Sequence, residues 1–325
     1  MGQETVLKPF NKPWTSCSQQ VEILQQRGLI VEDPVAAEQF LSHLSYFRFS
    51  GYCLSFESQR HEFITGTTFQ HVVDLHQFDL TLRDLITEAL EIVEVDLRSA
   101  IAHEFGSSFG AFGHTNPNNF FQSPPRLVAP GPITGVRPGT FSHGKWLDGL
   151  HRESKRSREI FVDHFESTYA EFPDLPVWVA TEIMSFGTLS HMLEGMHSTT
   201  VRRIAARYHL QSSFLPSWVH HCSYVRNLCA HHSRLWDRVW AIKPDLPPFK
   251  AWQPPLLPSN QHLYSTLLIL RKLLTEIPSM SSFAKDWKLR IERHISTMPL
   301  VAHAFNRMGL TNHWTEHPIW QSDKS

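Results

Sequence analysis

Arg226, Asn227 and His231 stand in an R-N-x-x-x-H pattern, within the run Val-Arg-Asn-Leu-Cys-Ala-His-His-Ser-Arg-Leu-Trp-Asp-Arg from Val225 to Arg238. No other stretch of the chain gathers so much chemistry into so few positions. A guanidinium is always charged and grips phosphate in bidentate fashion, while an imidazole gains and loses a proton near neutral pH. An amide between them can orient either group. Together these types suffice to hold a phosphodiester and cleave it without a metal, the arginine stabilising charge and the histidine moving a proton. The spacing alone does not separate such a site from ordinary polar residues on the surface of a bundle helix.

The element that must position these residues is a helix from Ser213 to about Arg238, with Pro216 in its first turn. Advancing about 100° per residue, Trp218, Val225, Leu228, Cys229 and Trp236 form an apolar stripe around Phe214. His232 falls in the middle of that stripe and reads as a packed core histidine. His231 falls on the polar side beside His220, Asn227 and Arg234. Arg226 falls roughly 140° from His231, so the two diverge on an ideal helix. Either the helix distorts or a second copy supplies one partner, and a two-fold homodimer with a composite site is the economical expectation.

The same segment offers a rival chemistry, because His220-His221-Cys222 and Cys229-Ala230-His231-His232 form a near-palindrome of zinc-ligand types. His220 and His231 are about 16 Å apart along a helix, too far for one ion, and both cysteines lie on the apolar side. No metal and no cofactor are expected. A nucleotide-transfer reading fails for lack of any glycine-rich phosphate loop.

Around this helix the chain is helical almost throughout, and the expected class is all-α. A short helix from Ser18 to Arg27 closes on Gly28, and Asp33-Pro34 starts another reaching about Leu44. The aromatic run Tyr46–Tyr52 reads as a packed turn. From Phe69 to about Phe105 apolar residues recur at helical spacing, with Glu94 and Arg98 four apart on another face. Asn116 to Gly144 is proline- and glycine-rich and reads as a long loop. Helices are expected over Lys145–Phe172, from Leu175-Pro176 to about Met196 with an interruption at Gly187, and over Thr199–Tyr208. After a proline-rich linker, Lys243–Pro258, come helices near 261–275 and 281–296. The expected organisation is an N-terminal helical region (1–68), a helical core (69–240), and a C-terminal linker and helices packing on it (241–325).

A formal net charge of −1 gives no global nucleic-acid footprint, so RNA contacts must come from local patches. Arg152, Lys155 and Arg156 form one candidate, Arg202 and Arg203 another. The apolar runs are too short to cross a bilayer, and four cysteines without framework spacing suit reduced thiols, so a cytoplasmic protein without a membrane partner is expected.

Five blocks carry a resemblance. They are Leu44–Tyr52, Gly66–Phe69, Ile92–Arg98, Leu175–Ser190 and Tyr224–Arg238. Taken in this order, over roughly residues 8 to 300, they resemble the bacterial abortive-infection proteins of AbiD/AbiF type within the HEPN superfamily. The resemblance implies a HEPN-like helical bundle with additional N- and C-terminal helices, frequent homodimers, and a metal-independent endoribonuclease built on R-x4-6-H. It implies Arg226 and His231 as the catalytic pair, with Asn227 following the arginine. His232 satisfies the wider spacing, so the resemblance leaves both histidines open. Glu94 and Arg98 match a charged pair that supports the site, and Arg234 is a further candidate. The implied setting is phage defence by a toxin-like effector acting on RNA, with an antitoxin small RNA or protein as a further partner. The superfamily also includes members that bind RNA or protein without cutting. Two positions depart: Asp237 stands where asparagine is usual, and Pro124–Gly139 is longer than typical.

Overall fold

Side-chain caps set where the first helices begin. A computed structural model describes residues 10–121, 141–299, 301 and 303–322. Ser16 and Gln19 cap each other's backbone to start α1 (Cys17–Gln26), and Asp33 accepts from the Ala36 amide to start α2 (Pro34–Leu44). The aromatic run is not a turn: it forms α3 (Tyr46–Cys53), because Ser45, at φ 69°, breaks the chain from α2 and recaps it through its hydroxyl. A small hairpin, β1 (Glu57–Gln59) with β2 (Glu62–Phe63), precedes the 41-residue α4 (Phe69–Phe109). Among the described residues this hairpin is the only sheet, and the fold is all-α.

The chain divides into two units. The first comprises Met1–Leu80 with Met298–Ala302. Its core is aromatic: Phe49 stacks on Phe69 at 4.6 Å, with Phe40 edge-on to both. The buried Tyr52 hydroxyl donates to Asp79 at 2.7 Å, so the carboxylate is not left unpaired.

The second unit, Thr81–Thr297 with His303–Ser325, carries the R-N-x-x-x-H residues. Its part of α4 buries Ala89, Leu90, Val93, Leu97, Ala100 and Ile101 completely. The helix expected over Lys145–Phe172 is two, α5 (His143–Arg156) and α6 (Ile160–Thr168). The interruption expected at Gly187 lies earlier, between α7 (Val177–Ile183) and α8 (Phe186–Gly195). Ser185 makes it by capping the Thr188 amide at 3.1 Å, so Gly187 sits inside a helix. Then follow α9 (Ser198–Arg207) and α10 (Leu215–Ala230), which packs closely on α8.

The proline-rich linker is irregular apart from one short turn at Lys250–Trp252, and Trp218 donates to its Asp245 carbonyl at 2.8 Å. Next come α11 (Leu263–Thr275), α12 (Ser281–Ser296), α13 (Ala304–Met308) and α14 (Pro318–Gln321). Arg271 of α11, fully buried, donates to the carbonyls of Ala284, Trp320 and Ser322 and so ties these helices together. Most of the long loop expected over Asn116–Gly144, from 122 to 140, lies outside the described residues. Among the described residues no helix is long and apolar enough to cross a membrane.

Candidate active site

Helix α10 stops before the expectation. The His231 amide still reaches the Asn227 carbonyl at 3.0 Å, but His232 then bonds to Cys229 (2.9 Å) and Ser233 to Leu228 (2.8 Å). These two bonds form the paired closure in which the residue after the cap turns left-handed. That residue is His232, at φ 53°. The position usually belongs to glycine or asparagine, which is why the sequence offered no stop signal there. The core role expected for His232 is therefore wrong: the helix no longer carries it onto the apolar stripe, and it is exposed.

Asn227 and His231 are exposed as well. Because regular helical bonding persists through the His231 amide, Arg226 and His231 remain about 140° apart around α10. No distortion brings them together.

Arg226 is held on its own side. Its Nε lies 3.6 Å from Glu94 Oε2, and its Nη1 lies 3.4 Å from Asn227 Oδ1. Glu94, 7% exposed on α4, gives its other oxygen to Arg98 Nη2. Arg98 Nη1 in turn donates to the Thr181 and Glu182 carbonyls at the end of α7, where a helix leaves carbonyls without partners. One buried carboxylate thus serves two guanidiniums, and the trio keeps a net charge of +1. The arrangement can present a fixed cation to a phosphate without burying an unpaired charge.

Beside the trio opens a cleft of about 660 Å³. Arg98, Arg156 and Arg226 line it together with Glu153, Glu159 and Glu182. Of the expected RNA-contacting residues, Arg156 therefore shares the cleft with Arg226, while Arg152 and Lys155 are exposed on the same helix. Arg202 is exposed on α9, and Arg203 is bound to Glu104 at 2.9 Å and to Ser108. Arg234 is half-buried, and its carbonyl accepts from Arg238 at 2.6 Å.

The zinc-like residues are distributed otherwise. His221 is fully buried, its Nδ1 2.7 Å from the Ile242 carbonyl and its Nε2 2.8 Å from Thr266 Oγ1. Burial lowers its pKa to about 4 and pushes the Cys222 thiol up to about 12. Among the described residues no three His, Cys, Asp or Glu side chains are grouped to hold a metal. Asp237, the departure from asparagine, sits left-handed at φ 50° and pairs with Arg307. Both residue types tolerate that backbone, and only the acid gains the ion pair.

Sequence reasoning had the Glu94–Arg98 pair from its i to i+4 spacing. It missed that the same carboxylate serves Arg226, because that contact joins residues 132 positions apart. A family model of Abi-like proteins matches residues 39–237, more than half of the chain and all of the trio, Asn227 and His231. The chain is a member of the Abi-like protein family. No curated protein and no solved structure matched it. Membership implies a role for this Abi-like protein in abortive infection, the defence of bacteria against phage.

Proposed function

We propose that the chain is a metal-independent endoribonuclease of HEPN type, acting as a homodimer whose Arg226 and His231 meet across the two-fold axis. The carrying observation is the pair's placement: Glu94 holds Arg226 to one side of an undistorted helix, while His231 is exposed about 140° away. An isologous interface turns such divergence into convergence, since each copy offers the other the group it lacks.

In that site the ribose 2′-oxygen attacks the neighbouring phosphorus as the bond to the 5′-oxygen breaks, leaving a 2′,3′-cyclic phosphate and a 5′-hydroxyl. His231 moves the proton at the 2′-oxygen or the leaving oxygen. Arg226 faces the non-bridging oxygens and stabilises the charge that builds on them. Asn227 accepts from the guanidinium through Oδ1, and Glu94, itself paired with Arg98, keeps it aimed. Deoxyribose lacks the attacking hydroxyl, so DNA is not cut.

The test is complementation. Arg226→Ala and His231→Ala should each be inactive on RNA. Mixed and allowed to exchange, they should recover about a quarter of wild-type activity, because half the dimers are mixed and each holds one intact site. No recovery from exchanging subunits overturns the composite site, and full activity in the double variant overturns the nuclease. A second reading has one observation in its favour. The cleft sets three glutamates against its three arginines, a balance better suited to a protein surface than to a polyanion. It predicts a folded protein that binds a partner and leaves RNA intact.

A further inference from the structure

A second cluster around a carboxylate lies on the other side of α10. Glu194, at the end of α8, brings Oε2 within 3.3 Å of His191 Nδ1, and the His191 ring meets that of His220 on α10 with centroids 6.0 Å apart. As in Arg98–Glu94–Arg226, a carboxylate holds one outer group, here His191, but His220 meets the His191 ring and not the carboxylate, and both outer groups are histidines. We propose that His191, Glu194 and His220 form a phosphate-binding subsite that takes up a proton when it binds, and that it contacts the RNA backbone away from the scissile bond. The phosphate chemistry stands by itself, and its assignment to RNA rests on the function proposed above.

Three observations support it. First, Glu194 Oε1 is buried and, among the described residues, accepts no hydrogen bond, a cost that a second protonated neighbour would remove. Second, the two imidazoles are unequal. The hydrogen bond to Glu194 raises the pKa of His191, while burial lowers that of His220, opposed by the charge of Glu194 and reinforced by the nearby His191. His191 therefore holds a proton more readily than His220 does. Third, His220, Asn227 and His231 share one face of α10, with His220 about 16 Å from His231, or roughly five stacked nucleotide steps at 3.4 Å each.

The charges facing the pair are few. α8 contributes His191 and Glu194, and α10 contributes His220. α5, also packed on α8, places Glu153 on Thr188 one turn away. When His191 alone holds a proton, Glu194 balances its charge. An arriving phosphate favours protonation of His220, and the cluster then carries +1 against the anion. Binding must strengthen as pH falls.

Two probes separate the sources: inorganic phosphate, and an oligoribonucleotide with every 2′-hydroxyl methylated so that it cannot be cut. Affinity for the oligonucleotide should rise about tenfold between pH 7.5 and 5.5, roughly what the uptake of one proton over part of that range allows. In His191→Gln/His220→Gln, with thermal melting unchanged, that rise should fall to about twofold. Glu194→Gln should move the rise to lower pH. His231→Ala should retain it, which separates this cluster from the proposed catalytic histidine. A pH-independent affinity, or an undiminished rise in the double variant, overturns the subsite. Phosphate binding without a pH-linked contribution to oligonucleotide binding overturns the RNA assignment alone. Failure of the wild type to cut RNA while the pH effect persists removes the nuclease and leaves the subsite standing.

Discussion

Glu94 is the residue on which the geometry of the candidate site turns. It is nearly buried, and both its oxygens face guanidiniums. Replacing it with glutamine keeps the shape but leaves Arg98, whose side chain is only 13% exposed, without its counter-charge. Glu94→Gln should therefore lower stability by about 1–3 kcal/mol, the cost of an uncompensated buried polar group. If the chain cuts RNA as proposed, it should also slow cleavage more than tenfold with KM nearly unchanged, since a loosened Arg226 would lose transition-state contacts first. Thermal melting and steady-state cleavage check the two parts, and wild-type values in both would remove Glu94 from the site.

At the scale of the element, the end of α10 decides which histidine is available and where it points. His232 holds a left-handed backbone that a branched side chain strongly resists. His232→Val should cost about 1–2 kcal/mol, while His232→Gly should fold at least as well on backbone grounds. Both should cut RNA at the wild-type rate if His231 is the catalytic group. Urea melts and a cleavage assay on the pair test this, and loss of activity in the folded glycine variant would shift the role to His232. The length of α10 could not be read from the sequence because its stop residue is a histidine. By contrast, Asp33 with Pro34 marked the start of α2 openly, while the Ser16–Gln19 capping box starts α1 one residue before the Ser18 expected. Ser185 carried the same kind of signal, yet Gly187 beside it looked like the stronger breaker.

At the scale of the whole molecule, stability should depend on acid. His114 and His221 are both completely buried, and burial lowers each to a pKa of about 4. Unfolded, they bind a proton near pH 6.5, so between about 6.5 and 4 the unfolded chain holds more protons than the folded one. Stability is therefore complete above about pH 6.5 and is lost as pH falls through that window, by an amount of order 3 kcal/mol per histidine. Denaturant melts at about pH 7 and pH 5 should show the loss. His221→Gln should fold less stably at pH 7 and show a shallower decline, and an unchanged decline in both His221→Gln and His114→Gln would overturn the assignment.

The all-α class, the family resemblance and the chemical types at Arg226, Asn227 and His231 were legible in the order of residues. Those follow from local periodicity and from motifs whose residues lie close together in the chain. Tertiary structure alone decided that Glu94 grips Arg226, that Thr181 and Glu182 anchor Arg98, and that His191 meets His220. It also ended α10 at Ala230 and put His232 into solvent. The end of α10 is a local closure on an atypical residue, and the other contacts share one physical reason. Helical periodicity says which way a side chain points from its own axis, whereas the charge it faces belongs to another helix, and only packing brings the two together.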